Sequence, residues 1–172
     1  RFAQQQLRLA DSHSSSGWQR NRGRGAGRRG GGGPPRRSNR FTPRRADVIT
    51  RLDREGLLPA IVFIFSRAGC DAAVAQCLHS GLQLTTPEER AAIREIAERH
   101  TADLSADDLQ ALGYWEWFDG LSHGMAAHHA GMLPAFKQAV EEMFVAGLLK
   151  VVFATETLAL GINMPARSVV LE

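Results

Sequence analysis

Residues 46–172 predict an α/β fold: a parallel sheet with helices on both faces, a helical insertion over about 82–122, and a disordered basic N-terminal segment, 1–45, in front of it. Three observations predict this. Short, largely apolar runs recur at 60–65, 149–154 and 168–171; stretches of helical period separate them; and the first 45 residues have a composition unlike the rest.

The first segment carries twelve arginines and a single acid, Asp11, and holds eight of the seventeen glycines. Its formal charge is therefore +11, while the remaining residues carry −8, so the basic character of the chain belongs to this tract. Runs such as Arg-Gly-Arg-Gly at 22–25 bury too little apolar surface to offset the entropy of ordering the backbone, and disorder is expected.

From Ala46 two periods alternate. An amphipathic helix is expected over 47–55, with Val48, Ile49 and Leu52 on one side and Gly56 at its end. The run 60–65, rich in Ile, Val and Phe, reads as a strand covered on both faces, which belongs to a parallel sheet. A crossover helix over 69–80 follows, stopped by Gly81. Thr86, Pro87 and Glu89 form a capping box that opens a helix reaching about His100, and Ser105 opens a shorter one through Leu112. After the aromatic stretch 114–118, a strand is expected over 125–128 and a helix over 134–146, its inner face formed by Phe136, Val140, Met143 and Phe144. Buried strands over 149–154 and 168–171 complete the sheet. The chain opens without methionine and stops directly after that last run, so it is expected to be a piece of a longer protein.

Cys70 and Cys77 lie in an alanine-rich run without a Cys-x-x-Cys pair, which predicts buried, reduced thiols and suits a reducing compartment. No apolar run reaches the roughly 18–20 residues that span a bilayer, and there is no signal-peptide pattern. A soluble cytoplasmic protein with no membrane partner is expected.

Ligands of open parallel sheets bind at the carboxyl ends of the strands. The residues leaving the strands are Ser66 and Arg67, then His129 and Gly131, then Thr155 and Glu156. Hydroxyls, a planar cation and a glycine that lets a ligand approach backbone N–H groups all suit a phosphate backbone. Singly they are weak signals, since such a hydroxyl is commonly a helix cap and such an arginine a solvated charge; their conjunction is the argument. Adjacent His128 and His129 point to opposite faces of a strand, which argues against a shared zinc ion. Trp115 and Trp117, set in an insertion between helices, read as packing residues more than base-stacking ones. The Gly-x-Gly-x-Gly at 23–27 follows no strand and is no dinucleotide fingerprint.

The segment 153–166 resembles motif V of superfamily-two helicases: Thr155, Gly161 and Asn163 fall on its Thr-x-x-x-x-x-Gly-x-Asp/Asn pattern. His128-His-Ala-Gly-Met-Leu-Pro134 resembles the loop called motif IVa, and Val62-Phe-Ile-Phe-Ser-Arg67 resembles motif IV. This form is most similar to the Ski-like DExH RNA helicases of the actinobacterial HelY type, over about 57–172 and including Leu112-Gly-Tyr-Trp-Glu-Trp117. The resemblance implies a second RecA-like domain that packs against a first one around ATP while both grip a single strand. It further implies that Ser66, Arg67, Gly131, Thr155 and Glu156, with His129 in the same loop, belong to the nucleic-acid site, and that Gly161 and Asn163 face ATP.

ATP and Mg2+ would then be bound mainly by the first RecA-like domain of the same polypeptide. The chain has two lysines, Lys137 and Lys150, and neither sits in a Gly-x-x-x-x-Gly-Lys-Ser/Thr loop; Asp-Glu-x-His is absent too. Alone, this chain is expected neither to hydrolyse ATP nor to unwind a duplex. Single-stranded RNA is the expected partner, with a DNA repair helicase of the same superfamily as the alternative, because nothing in these motifs reads the 2′-hydroxyl. A third reading is an Arg/Gly-rich RNA-binding adaptor. The tract itself either binds nucleic acid through charge and guanidinium stacking or only tethers two domains.

Overall fold

Four parallel strands in the order β2-β3-β1-β4 form the centre of a computed structural model that describes residues 43–155 and 165–172. The Arg/Gly tract, Glu156, Gly161 and Asn163 lie outside the described residues. The elements are α1 (Arg45–Arg54), β1 (Ala60–Phe63), α2 (Arg67–His79), α3 (Pro87–His100), α4 (Ala106–Ala111), α5 (Tyr114–Ser122), β2 (Met125–His128), α6 (Pro134–Val145), β3 (Val151–Ala154) and β4 (Ser168–Leu171). Register is uniform: Phe63 and His128 both lie beside Ala154, and Phe63 lies beside Leu171, so all strands end at one level. The expected parallel α/β sheet is thus present.

Side-chain alternation divides the core into two layers. Val62, Met125, Ala127, Val151 and Phe153 meet Ile49 of α1 and Cys70, Ala73 and Cys77 of α2 on one face. On the other face Ile61, Ala126 and Val152 meet α3 through Ile93 and Ala97, α5 through Leu121, and α6 through Val140, Met143 and Phe144. Each large apolar side chain taken out of water here contributes about 1.5–3 kcal/mol, which is what holds α6 and its three-to-four-residue period against the sheet. Helices therefore cover both faces, and both cysteines are buried in the α1–α2 layer.

Local chemistry sets the ends. Thr86 Oγ1 accepts from the Glu89 N–H at 3.2 Å while the Glu89 carboxylate accepts from the Thr86 N–H at 2.9 Å, the reciprocal box that the sequence predicts. Ser105 and Asp108 repeat it at α4. The aromatic stretch, unassigned from sequence, forms α5; its cap is Gly113 at φ 69°, backbone that a residue with a Cβ rarely adopts, in place of a polar side chain. Trp117 stacks on Phe136 with centroids 4.2 Å apart and planes 9° apart, as a packing residue should, whereas Trp115 is 65% exposed.

Two strands depart from expectation. β1 ends at Phe63, and Phe65, read as part of a covered strand, is 74% exposed because the chain is already turning into the Ser66 cap of α2. β4 was expected to be buried; among the described residues it pairs with β1 alone, and its Val169 and Leu171 are 60% and 73% exposed. Arg45 closes this corner of the domain, donating to Glu172 at 2.7–3.1 Å and to Gln76 at 2.6 Å. Among the described residues no helix is long and apolar enough to cross a membrane.

Candidate nucleic-acid interface

Backbone hydrogen bonds tie the three strand ends together. The Ile64 N–H donates to Ala154 O at 2.9 Å and the Thr155 N–H donates to His128 O at 3.3 Å, so the turns after β1, β3 and β2 sit side by side. Across this rim the Arg67 side chain approaches Gly131: a Cβ built on that glycine would lie 3.5 Å from Arg67 Cδ. The structure therefore brings Ser66, Arg67, His129, Gly131 and Thr155 together.

Each has a distinct situation. Ser66 caps α2, its hydroxyl oxygen accepting from the Gly69 N–H at 3.0 Å, which leaves its own O–H as a donor. Arg67 occupies the first turn of that helix, is exposed, and forms no hydrogen bond or ion pair among the described residues. A cation there opposes the helix dipole by about 0.3–1 kcal/mol, so local helix stability does not explain it.

His129 is only 7% exposed. Its Nδ1 accepts from the Gly131 N–H at 3.2 Å, which places the ring proton on Nε2, facing the Asp71 carboxylate at 3.1 and 3.2 Å. The ring thus clamps the turn to α2 and does not face solvent. A glycine suits this turn, since a Cβ would lie 3.2 Å from that same Nδ1 and the ring would have to give by a few tenths of an ångström. His128 points the other way, to Glu141 of α6 at 2.8 Å, so the two imidazoles part to opposite faces. Among the described residues no set of three His, Cys, Asp or Glu side chains converges so as to hold an ion.

Sequence reasoning missed Phe65. An aromatic ring 74% exposed beside Ser66 and Arg67 is a natural stacking surface for a base; the only signal for it was its position as the last apolar residue before a cap.

A parallel sheet covered on both faces, with hydroxyl, guanidinium and glycine groups gathered at its carboxyl rim, defines a RecA-like α/β domain. No protein-family model matches the chain. The chain is 63% identical over 155 residues to the probable helicase HelY of Mycobacterium tuberculosis, covering 90% of this chain and 16% of that protein. It is 68% identical over 128 residues to the probable helicase HelY of Mycobacterium leprae, covering 74% of this chain and 14% of that protein. Superkiller complex protein 2 of Homo sapiens is 40% identical over 125 residues, 73% of this chain and 10% of that protein. The chain belongs to the Ski-like DExH helicase family, and it spans 16% or less of the length of these relatives.

Proposed function

We propose that this chain is the second RecA-like motor domain, residues 46–172 with an insertion at 82–122, of a cytoplasmic ATP-dependent RNA helicase. The observation that carries the reading is the convergence of Arg67, Gly131 and Thr155 on one rim of the sheet. Exposed Arg67 and the Ser66 hydroxyl supply contacts to a strand's phosphates, Thr155 adds a further hydroxyl, and His129 positions the Gly131 turn through its bond to the glycine N–H. Glu156, outside the described residues, is assigned to the same site by the motif alone. RNA is preferred over DNA because a further relative, 43% identical over 142 residues, is a DExH-box ATP-dependent RNA helicase of Arabidopsis thaliana. The adaptor reading has no comparable support.

ATP and its Mg2+ belong mainly to the first RecA-like domain of the same polypeptide, with Gly161 and Asn163 completing the cleft. When bound, ATP draws the two domains together and its hydrolysis releases them. The residues described here grip and release the strand as that closure proceeds; they do not carry out the hydrolysis.

In the full-length helicase, Arg67→Glu and Thr155→Ala are expected to weaken single-stranded RNA binding and to lower RNA-stimulated ATPase, while basal ATPase persists. For Arg67→Glu the salt slope of log K should also fall by about 1, one phosphate contact. Unchanged unwinding in both variants would remove the strand-gripping role, and equal ATPase stimulation by single-stranded DNA and RNA would remove the substrate preference.

A further inference from the structure

A cavity of about 750 Å3 lies between α2 and the α4–α5 corner, at the upper end of the size that holds a ligand or a partner's side chains. Its walls are apolar, formed by Val74 and Leu78 of α2, Trp117 of α5, and Met132 and Phe136 from the turn and helix after β2. Leu112, which also lines it, is 39% exposed. The Trp117 Nε1 donor is buried and has no hydrogen-bond partner.

The carboxylates among the lining residues are Asp71, Glu116 and Asp119, with His79 also present and no lysine or arginine. Glu116 forms no ion pair among the described residues, and the Asp71 and Asp119 side chains remain 62% and 59% exposed beside His129 and His123. Between Arg99 and Lys137 the sequence has five acids, Asp103, Asp107, Asp108, Glu116 and Asp119, and no lysine or arginine. Such a surface repels a polynucleotide, and a purely apolar ligand would gain nothing from the carboxylates. A polypeptide that combines large apolar side chains with cations satisfies both features.

We propose that this groove docks a segment of a partner protein in which one or two large apolar side chains are flanked by arginine or lysine. The apolar anchors fill the space over Val74, Leu78 and Phe136, and the cations meet Asp71, Glu116 and Asp119. One end of the cavity reaches Gly131 in the turn that His129 holds and Arg67 approaches, so the occupant lies next to the proposed strand site.

The test uses the 172-residue chain with 15N-labelled tryptophan and three probes. Two are short synthetic peptides sharing a leucine–phenylalanine anchor pair at helical spacing, one flanked by arginines and the other by glutamates; the third is oligouridylate. The arginine peptide is expected to move the Trp117 indole N–H resonance and to bind at least about tenfold more tightly than the glutamate peptide. The double variant Glu116→Arg/Asp119→Arg, which changes two exposed side chains and leaves the core intact, should abolish that preference. Equal binding of both peptides, or undiminished binding of the arginine peptide by the double variant, would overturn the proposal. So would oligouridylate moving Trp117 as far as the peptide does, because the groove would then belong to a nucleic-acid path. The proposal does not rest on the helicase reading: loss of RNA binding at Arg67 leaves the peptide comparison intact.

Discussion

The His129 ring holds the shape of a turn by accepting a hydrogen bond on one side and donating one on the other. With Nδ1 taking the Gly131 N–H and Nε2 giving to Asp71, the imidazole sits between a flexible backbone and a helix and fixes the distance between them. Its neighbour Arg67 is left unpaired among the described residues and exposed, as a group that waits for an anion would be. Phe65 adds an apolar platform next to it. In the full-length protein Phe65→Ala should weaken binding of single-stranded RNA by about 1–3 kcal/mol, the usual value of one base on one ring, with the thermal midpoint hardly moved because the side chain is already 74% exposed. Fluorescence anisotropy beside a melting curve checks both; a large fall in the midpoint with unchanged affinity would make the ring a packing residue. At this scale the sequence showed which residues leave the strands, because each follows an apolar run; a hydroxyl there is as readily a helix cap, which Ser66 also is. The role of His129 was not, because burial of a ring depends on where α2 falls.

Single elements are held by caps and by the pairs that join one helix to the next. The link between α3 and α6 is Glu142, which accepts from Arg99 at 2.6 and 3.2 Å and lies 2.7 Å from His100 Nε2. The Arg99 guanidinium and the His100 ring beside it hold its carboxyl down to about 2, from an ordinary value of 4.5. A carboxyl whose folded value is depressed stabilises the fold above its unfolded value and loses that effect as pH falls. The contribution is therefore complete above about 4.5 and lost as pH falls through about 2. Because the side chain is 41% exposed, each contact contributes only about 0.2–1 kcal/mol. Glu142→Gln should lower the urea midpoint at neutral pH, and the gap between variant and parent should close near pH 2; a gap independent of pH would mean that packing, not charge, is lost. Helices with polar caps, such as α3, could be read from sequence, since Thr86 and Glu89 satisfy backbone groups in one way only. α5 could not, because a left-handed Gly113 does the capping and leaves no side-chain signature.

For the whole molecule, the order β2-β3-β1-β4 decides what is deep and what is open. Three apolar residues in a row, Val169 to Leu171, state that a strand exists and not whether it has neighbours on both sides, so their exposure among the described residues became visible only with the topology. Depth also sets thiol chemistry. Burial pushes both Cys70 and Cys77 up to about 11, so at neutral pH each is a protonated thiol shielded by the α1–α2 layer. Alkylation by iodoacetamide should therefore follow opening of the domain, slow in buffer and rising together for both residues as urea is added; fast reaction of either one in buffer would mean that this layer opens independently. The Arg45–Glu172 contact has a consequence of another kind. It brings the start of the first helix and the residue after β4 within reach of one guanidinium, 127 positions apart in sequence. One side chain thus couples the first helix to the β4 strand of the sheet, so loosening at either is felt at the other.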